Sequence, residues 1–219
     1  IQTTEKVPRR FRLVATGTSG HGSVPRLDNP LTHLSAAVAK VGNWVAPMGL
    51  NETTRAYFER LAAISPPENA ARYRALLGPE PPAAIQTYLA KNEPERYSML
   101  RTSVVPTILK AGVGPNVIPS QAEATFDVRA LPDEDIPKLF ASLNQLIADP
   151  AVKLEPITAN LRPVAAASKL DSDMYRALER VATAMYPGAT ILPTMSTGAT
   201  DMAQLRAKGI QSYGIGPAS

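Results

Sequence analysis

Cysteine is absent from this chain of 219 residues, which excludes disulfides, thiolate metal sites and a thiol nucleophile. It leaves the compartment open, since cysteine-free chains suit cytosol and periplasm alike. Aromatic residues make up only 5% of the sequence, so the core must be built from Ala, Val, Leu and Ile. Few rings are left to stack on bases. The 23 Lys and Arg residues are scattered, with no run of five or more, and the formal charge is only +4. A nucleic-acid role therefore fits poorly. This mildly cationic surface either helps to draw in a carboxylate-bearing substrate or is a plain solvated exterior. No apolar run approaches the roughly 18 residues needed to cross a bilayer, so no membrane span is expected. What is present is enough to fold: 44% of residues are hydrophobic, sufficient for one ordinary domain or two small ones. The opening Ile1-Gln2-Thr3-Thr4 reads as the middle of a longer chain, a fragment or processed product in which any signal peptide would be hidden.

Residues 9–16 alternate around Phe11, Leu13 and Ala15 and predict a strand that enters the glycine-rich stretch TGTSGHGSVP. Asp28-Asn29-Pro30 then caps a helix over about 30–44, with Leu31, Leu34, Val38 and Val41 at helical spacing. Residues 47 to about 100 are polar and broken by prolines, which predicts three short helices forming an insertion. Strands are expected around Val104–Leu109, over Glu123–Leu131 and over Val152–Ala159, with a loop at 112–120 and a helix from the Pro132-Asp133 stop to about Ala148. Without the insertion the order is βαββαβ, the ferredoxin-like order of a four-stranded antiparallel sheet with two helices. After Arg162-Pro163 a helix over Ser172–Tyr186, a strand at Ile191-Leu192, a short helix from about Asp201 to Ala207 and a strand over 211–215 are expected. That alternation belongs to a layered α/β domain, of which about 60 residues make only a part.

Three stretches could carry chemistry. His21, in the glycine- and hydroxyl-rich loop, is either functional or an ordinary loop histidine bonded to nearby backbone. His33, the other histidine, falls off the apolar stripe of its helix and is expected to face solvent. In GPNVIPSQAEATFDVRALP, Asn116 lies between two prolines and Arg129 offers a planar fork matched to a carboxylate. Their ordinary roles would be a turn residue capping its own backbone and a strand-surface ion pair. In Met195–Asp201, small residues join a strand to a helix, where backbone N–H groups suit a carboxylate or simply form a capped start.

Taken together and in this order, GHGSVP, GPNVIPSQAEATFDVRALP and STGATDM…YGIGP resemble the zinc-dependent aminoacylase and carboxypeptidase metallopeptidases. That family includes aminoacylase, glutamate carboxypeptidase and succinyl-diaminopimelate desuccinylase. The helical insertion is most similar to the carboxypeptidase S-like branch of N-acyl amino acid hydrolases. The resemblance implies an α+β chain: residues 1–8 end one catalytic-domain segment, 9–161 form a ferredoxin-like lid with its insertion at about 47–100, and 162–219 are an incomplete α/β catalytic part. It further implies a homodimer through the lid, with glycines keeping the loop slim and mobile so that His21 enters the partner's active site and polarises the scissile carbonyl. A donor so aimed is worth on the order of 3 kcal/mol. Asn116 and Arg129 would hold the substrate, the arginine at its terminal carboxylate, and Gly198 and Thr200 would contact the same end. Ala199 stands where many relatives have glycine, which weakens the case for that residue.

The family's metal ligands cannot be placed: neither histidine sits in a His-x-Asp motif, and no Glu-Glu pair exists. The resemblance therefore implies two zinc ions in the full-length parent and none on this chain alone, which is expected to be inactive. For the parent it implies cleavage of an amide bond in a small peptide or an N-acyl amino acid, by a zinc-bridged hydroxide with a glutamate base. The competing readings are a non-enzymatic ferredoxin-like dimerisation module and a carboxylate-binding regulatory domain.

Overall fold

The computed structural model describes residues 1–216, so Pro217 of the YGIGP motif lies outside the described residues. Strands β1 (Gln2–Glu5), β2 (Val7–Thr16) and the short β3 (Gly20–His21) precede helix α1 (Pro30–Gly42). Helices α2 (Glu52–Ile64), α3 (Pro67–Leu76), α4 (Ala83–Asn92) and α5 (Pro94–Met99) come next. They are followed by β4 (Ser103–Ala111), β5 (Val117–Ile118), β6 (Gln121–Ala130), α6 (Ile136–Ile147) and β7 (Val152–Ile157). Beyond these lie α7 (Asp173–Met185), β8 (Thr194–Ser196) and α8 (Met202–Arg206). The chain divides into two compact units, one of residues 8–46 with 102–161, the other of residues 1–7, 47–101 and the segment from Arg162 onward.

The 8–46/102–161 unit has the expected ferredoxin-like arrangement. Its four long strands lie in the order β4, β6, β2, β7, and β2 with β7 and β4 with β6 pair antiparallel. Period-two alternation explains why one face is buried: in β6, Ala122, Ala124, Phe126, Val128 and Ala130 are buried while Glu123, Thr125, Asp127 and Arg129 are half-exposed. Helices α1 and α6 pack against this sheet through Leu34, Ala37 and Val41 and through Leu139, Leu143 and Ile147. Phe11 stacks on Phe126 at 4.8 Å and meets Phe140 edge-on at 5.5 Å, so a chain poor in aromatics places three of its four phenylalanines at one point. The α1 cap is Asn29, whose side chain accepts from the Leu31 N–H, with Pro30 in the first turn. Helix α6 is capped by Asp135, two residues later than the sequence suggests.

The other unit pairs β1 with β8 in parallel and packs helices around them. The helical segment 47–101, expected to belong to the lid, groups here instead. The reason lies in its contacts: the Thr53 hydroxyl meets that of Thr3 at 2.7 Å, Asn51 reaches Met195, and Arg60 bonds Glu179 at 2.5 Å and the Ile191 carbonyl at 2.7 Å. The segment forms four helices rather than three because Pro94 starts α5 instead of only ending α4. A proline needs no N–H at a first helical position. The strand expected at Ile191-Leu192 lies further on, at Thr194–Ser196, where it finds β1. The strand expected over 211–215 is reduced to a single bridge between Gln2 and Gly214. At Ser212 the backbone is taken by side chains instead: its N–H donates to Ser168 Oγ, and its carbonyl accepts from Ser168 and Arg206.

Candidate functional site

His21 and Asn116 are brought together. The loop after β2 and the loop after β4 leave the same end of the sheet and zip into a short antiparallel ribbon, Gly20 opposite Ile118 and His21 opposite Val117. The Gly22 N–H donates to the Asn116 carbonyl at 2.8 Å, and the Asn116 amide lies 3.2 Å from His21 Nε2. The ring is exposed. Ser23 orients it, with its Oγ 2.7 Å and its N–H 3.2 Å from Nδ1. A backbone N–H can only donate, so Nδ1 accepts and the neutral ring carries its proton on Nε2. That places Nε2–H toward Asn116, whose amide meets it with oxygen after a half-turn. The result is an exposed imidazole whose Nε2 is the nitrogen placed to donate.

The loop is held more firmly than a run of glycines suggests. At its base the Thr18 N–H donates to Asp28 at 3.0 Å and Arg26 pairs with the same carboxylate at 3.1 Å. The Thr18 hydroxyl and N–H, with Arg26, hold the Asp28 carboxyl down to about 2. Gly17 is the position where the missing side chain matters, because a Cβ there would lie 1.9 Å from the Asp28 carbonyl oxygen. The glycine serves close approach, and the β3–β5 ribbon then fixes the histidine.

Arg129 is not part of this cluster. It sits opposite Ser103 at the far end of β6, eight residues from Gln121, or about 26 Å at the rise of an extended strand. Its Nε donates to Asp127 Oδ2 at 2.7 Å, and Arg10 approaches the same carboxylate at 3.8 Å. In this state Arg129 makes the strand-surface ion pair that is its ordinary role. His33, expected to face solvent, is half-buried and bonds Asp149 at 2.7 Å, tying α1 to the turn before β7.

Gly198 and Thr200 lie in the other unit, in the turn between β8 and α8. The turn does hold a carboxylate, and it is the chain's own. The Thr200 N–H donates to Glu5 Oε1 at 2.8 Å and the Thr200 hydroxyl donates to Glu5 Oε2, while the Gly198 N–H donates to Ser196 Oγ at 3.2 Å. Arg206 pairs with Glu5 at 3.0 Å, both side chains almost fully buried. Nothing local marks Glu5 for this role, since 195 residues separate it from Thr200. Ser23, by contrast, was legible as a hydroxyl two residues from the histidine.

Among the described residues no three His, Asp or Glu side chains converge as a metal ion requires. The residues present therefore do not fit a zinc pair. Among the same residues no helix is long and apolar enough to cross a membrane.

A family model for the peptidase dimerisation domain matches residues 4–155. The chain is 29% identical over 205 residues to a probable carboxypeptidase S-like protein of Dictyostelium discoideum, covering 92% of this chain and 38% of the relative. It is 29% identical to the human N-fatty-acyl-amino acid synthase/hydrolase, covering 92% and 40%. Human aminoacylase-1 is 32% identical over 118 residues, 53% of this chain and 28% of that protein. The chain thus spans about two fifths of the length of the first two relatives. Two solved structures share the fold: an M20 family metallo-carboxypeptidase of Sulfolobus solfataricus and human carnosine dipeptidase 1. Their TM-scores are 0.55 and 0.57 at 17% and 15% identity, covering 95% and 96% of this chain and 50% and 48% of theirs.

Proposed function

The chain belongs to the M20 peptidase dimerisation-domain family, and on that premise we propose that it supplies the lid of a hydrolase cleaving the amide bond of peptides or N-acyl amino acids. The observation that carries this reading is the exposed His21–Asn116 pair, in which Nδ1 accepts from the Ser23 N–H and Nε2 is left to carry the proton of the neutral ring. In the reaction His21 Nε2–H leaves Asn116 and donates to the scissile carbonyl oxygen as negative charge develops there, while the Asn116 amide holds the same group in place. Arg129 takes the substrate's terminal carboxylate through its two terminal nitrogens, with Nε kept on Asp127. In the other unit the Gly198 turn, anchored by Thr200, is the candidate contact for a substrate carboxylate. An N-acyl amino acid is favoured as substrate because one relative is an N-fatty-acyl-amino acid synthase/hydrolase. The two zinc ions of the parent would be held by residues that this chain does not contain, and the chain alone is expected to be inactive.

The lid works as a homodimer in this reading. Strand β4 is an edge of the sheet, and its Val105, Ile108 and Leu109 are about half exposed or more. A long apolar edge strand is a template for pairing with a second copy. His21 and Arg129 stand at opposite ends of one sheet, too far apart to serve one small substrate, so each site takes its histidine from the partner subunit. Turnover of N-acyl amino acids by the full-length parent tests this. The wild type should release the free amino acid, and His21→Ala should lower kcat by about 10²- to 10³-fold. A wild type inert on both N-acyl amino acids and peptides would contradict the reading.

A further inference from the structure

The carboxylate of Glu5 has four donors: the Thr200 N–H, the Thr200 hydroxyl, Arg206 at 3.0 Å and the Gln2 amide at 3.1 Å. Its partner Arg206 is equally buried, bonds the Ser212 carbonyl at 3.1 Å, and leaves its Nε without a hydrogen bond among the described residues. A buried pair of this kind contributes little to net stability compared with an apolar pair of the same volume, whereas breaking it is costly. Its value is geometric. It joins β1, the turn at 196–201 and the segment at 212, which are close in space but far apart along the chain. The Thr200 hydroxyl also accepts from the Met202 N–H at 3.3 Å, and the Thr200 carbonyl accepts from Arg162 at 3.0 Å, so the residue is fixed on three sides.

Resting on the function proposed above, we infer that Glu5, with Arg206, is a positioning residue that sets the 196–201 turn for the substrate's terminal carboxylate, acting through Thr200. Both donors that Thr200 could offer a ligand are already engaged by Glu5, so Thr200 shapes the turn and its neighbours face the substrate. A turn kept in place by a buried charge stays organised before the ligand arrives, and loosening it should weaken binding more than chemistry.

The test uses the full-length enzyme. Glu5→Gln alone strands the Arg206 charge, so it is made together with Arg206→Met, and compared with Thr200→Val and Thr200→Ser. Thr200→Val and the Glu5→Gln/Arg206→Met pair should each raise KM about tenfold, the effect of losing one charge-assisted hydrogen bond, with kcat within about twofold of wild type. All three changes combined should raise KM no further, because residues acting through one another are non-additive. Thr200→Ser should restore wild-type KM. Amide exchange at Thr200 should accelerate in the paired variant while the β1 amides stay protected. An active enzyme whose KM is unmoved, or whose Thr200 and Glu5/Arg206 effects simply add, overturns the inference and leaves the proposed function standing. A wild type without hydrolase activity fails the function instead, and the exchange rates still report whether Glu5 holds the turn.

Discussion

His33 and Asp149 form a pH-sensitive tie at the scale of single residues. His33 donates to the Asp149 carboxylate, and this one hydrogen bond raises the His33 pKa and lowers that of Asp149. Stability from the raised histidine is fully present below its unfolded pKa and is lost as pH rises through the folded value; that from Asp149 is present above the unfolded carboxylate pKa and is lost in acid. The pair is therefore strongest in mildly acidic solution, and His33→Gln should cost more stability at about pH 5.5 than at about pH 8.5 in urea unfolding. An equal cost at both would show that the tie carries no charge. Gly17→Ala forces a Cβ against the Asp28 carbonyl and should destabilise the chain by about 1–3 kcal/mol, with the Thr18 amide losing protection. His21, Asn116 and the turn at Gly198 were legible as residues because small and polar groups cluster around them. Glu5 was not, because its role exists only once β1 and the turn meet in space.

Helix ends show what local chemistry decides at the scale of elements. Helix α6 stops at Ala148, which adopts φ 47° and ψ 44°, the left-handed region that disfavours a side chain. Ala148→Gly should therefore raise the unfolding free energy by about 1 kcal/mol, read as a higher denaturation midpoint with unchanged slope; a drop would mean the methyl group packs usefully. The cap at Asn29 and the helix start at Ser172 were readable from sequence, because a short polar side chain before an apolar period needs nothing else. The strands outside the lid were not. Thr194–Ser196 is a strand only because β1 lies beside it, and 211–215 fails as one because Ser168 and Arg206 claim the Ser212 backbone. The fourth helix of the 47–101 segment was missed because a helix end and a helix start share the same proline preference, and Pro94 serves as both.

The whole molecule turns on the lid sheet's two ends and its open edge. The four-stranded sheet was legible from the βαββαβ succession of elements and from the clean alternation of β6, whereas the grouping of residues 47–101 with the chain's outer segments rests on long-range contacts such as Thr3 with Thr53. If β4 pairs with a second copy, Ile108→Glu combined with Leu109→Lys should convert the dimer to a monomer in sedimentation without unfolding it; a persistent dimer would move the interface elsewhere. The most direct measurement mixes two inactive full-length variants, His21→Ala and Arg129→Ala, and follows hydrolysis of an N-acyl amino acid as subunits exchange. If each site draws its histidine from the partner, half of the dimers are hybrids with one intact site, and about a quarter of the wild-type rate should return. If the mixture stays as inactive as its components, His21 and Arg129 serve the same site from one chain, and the account is wrong.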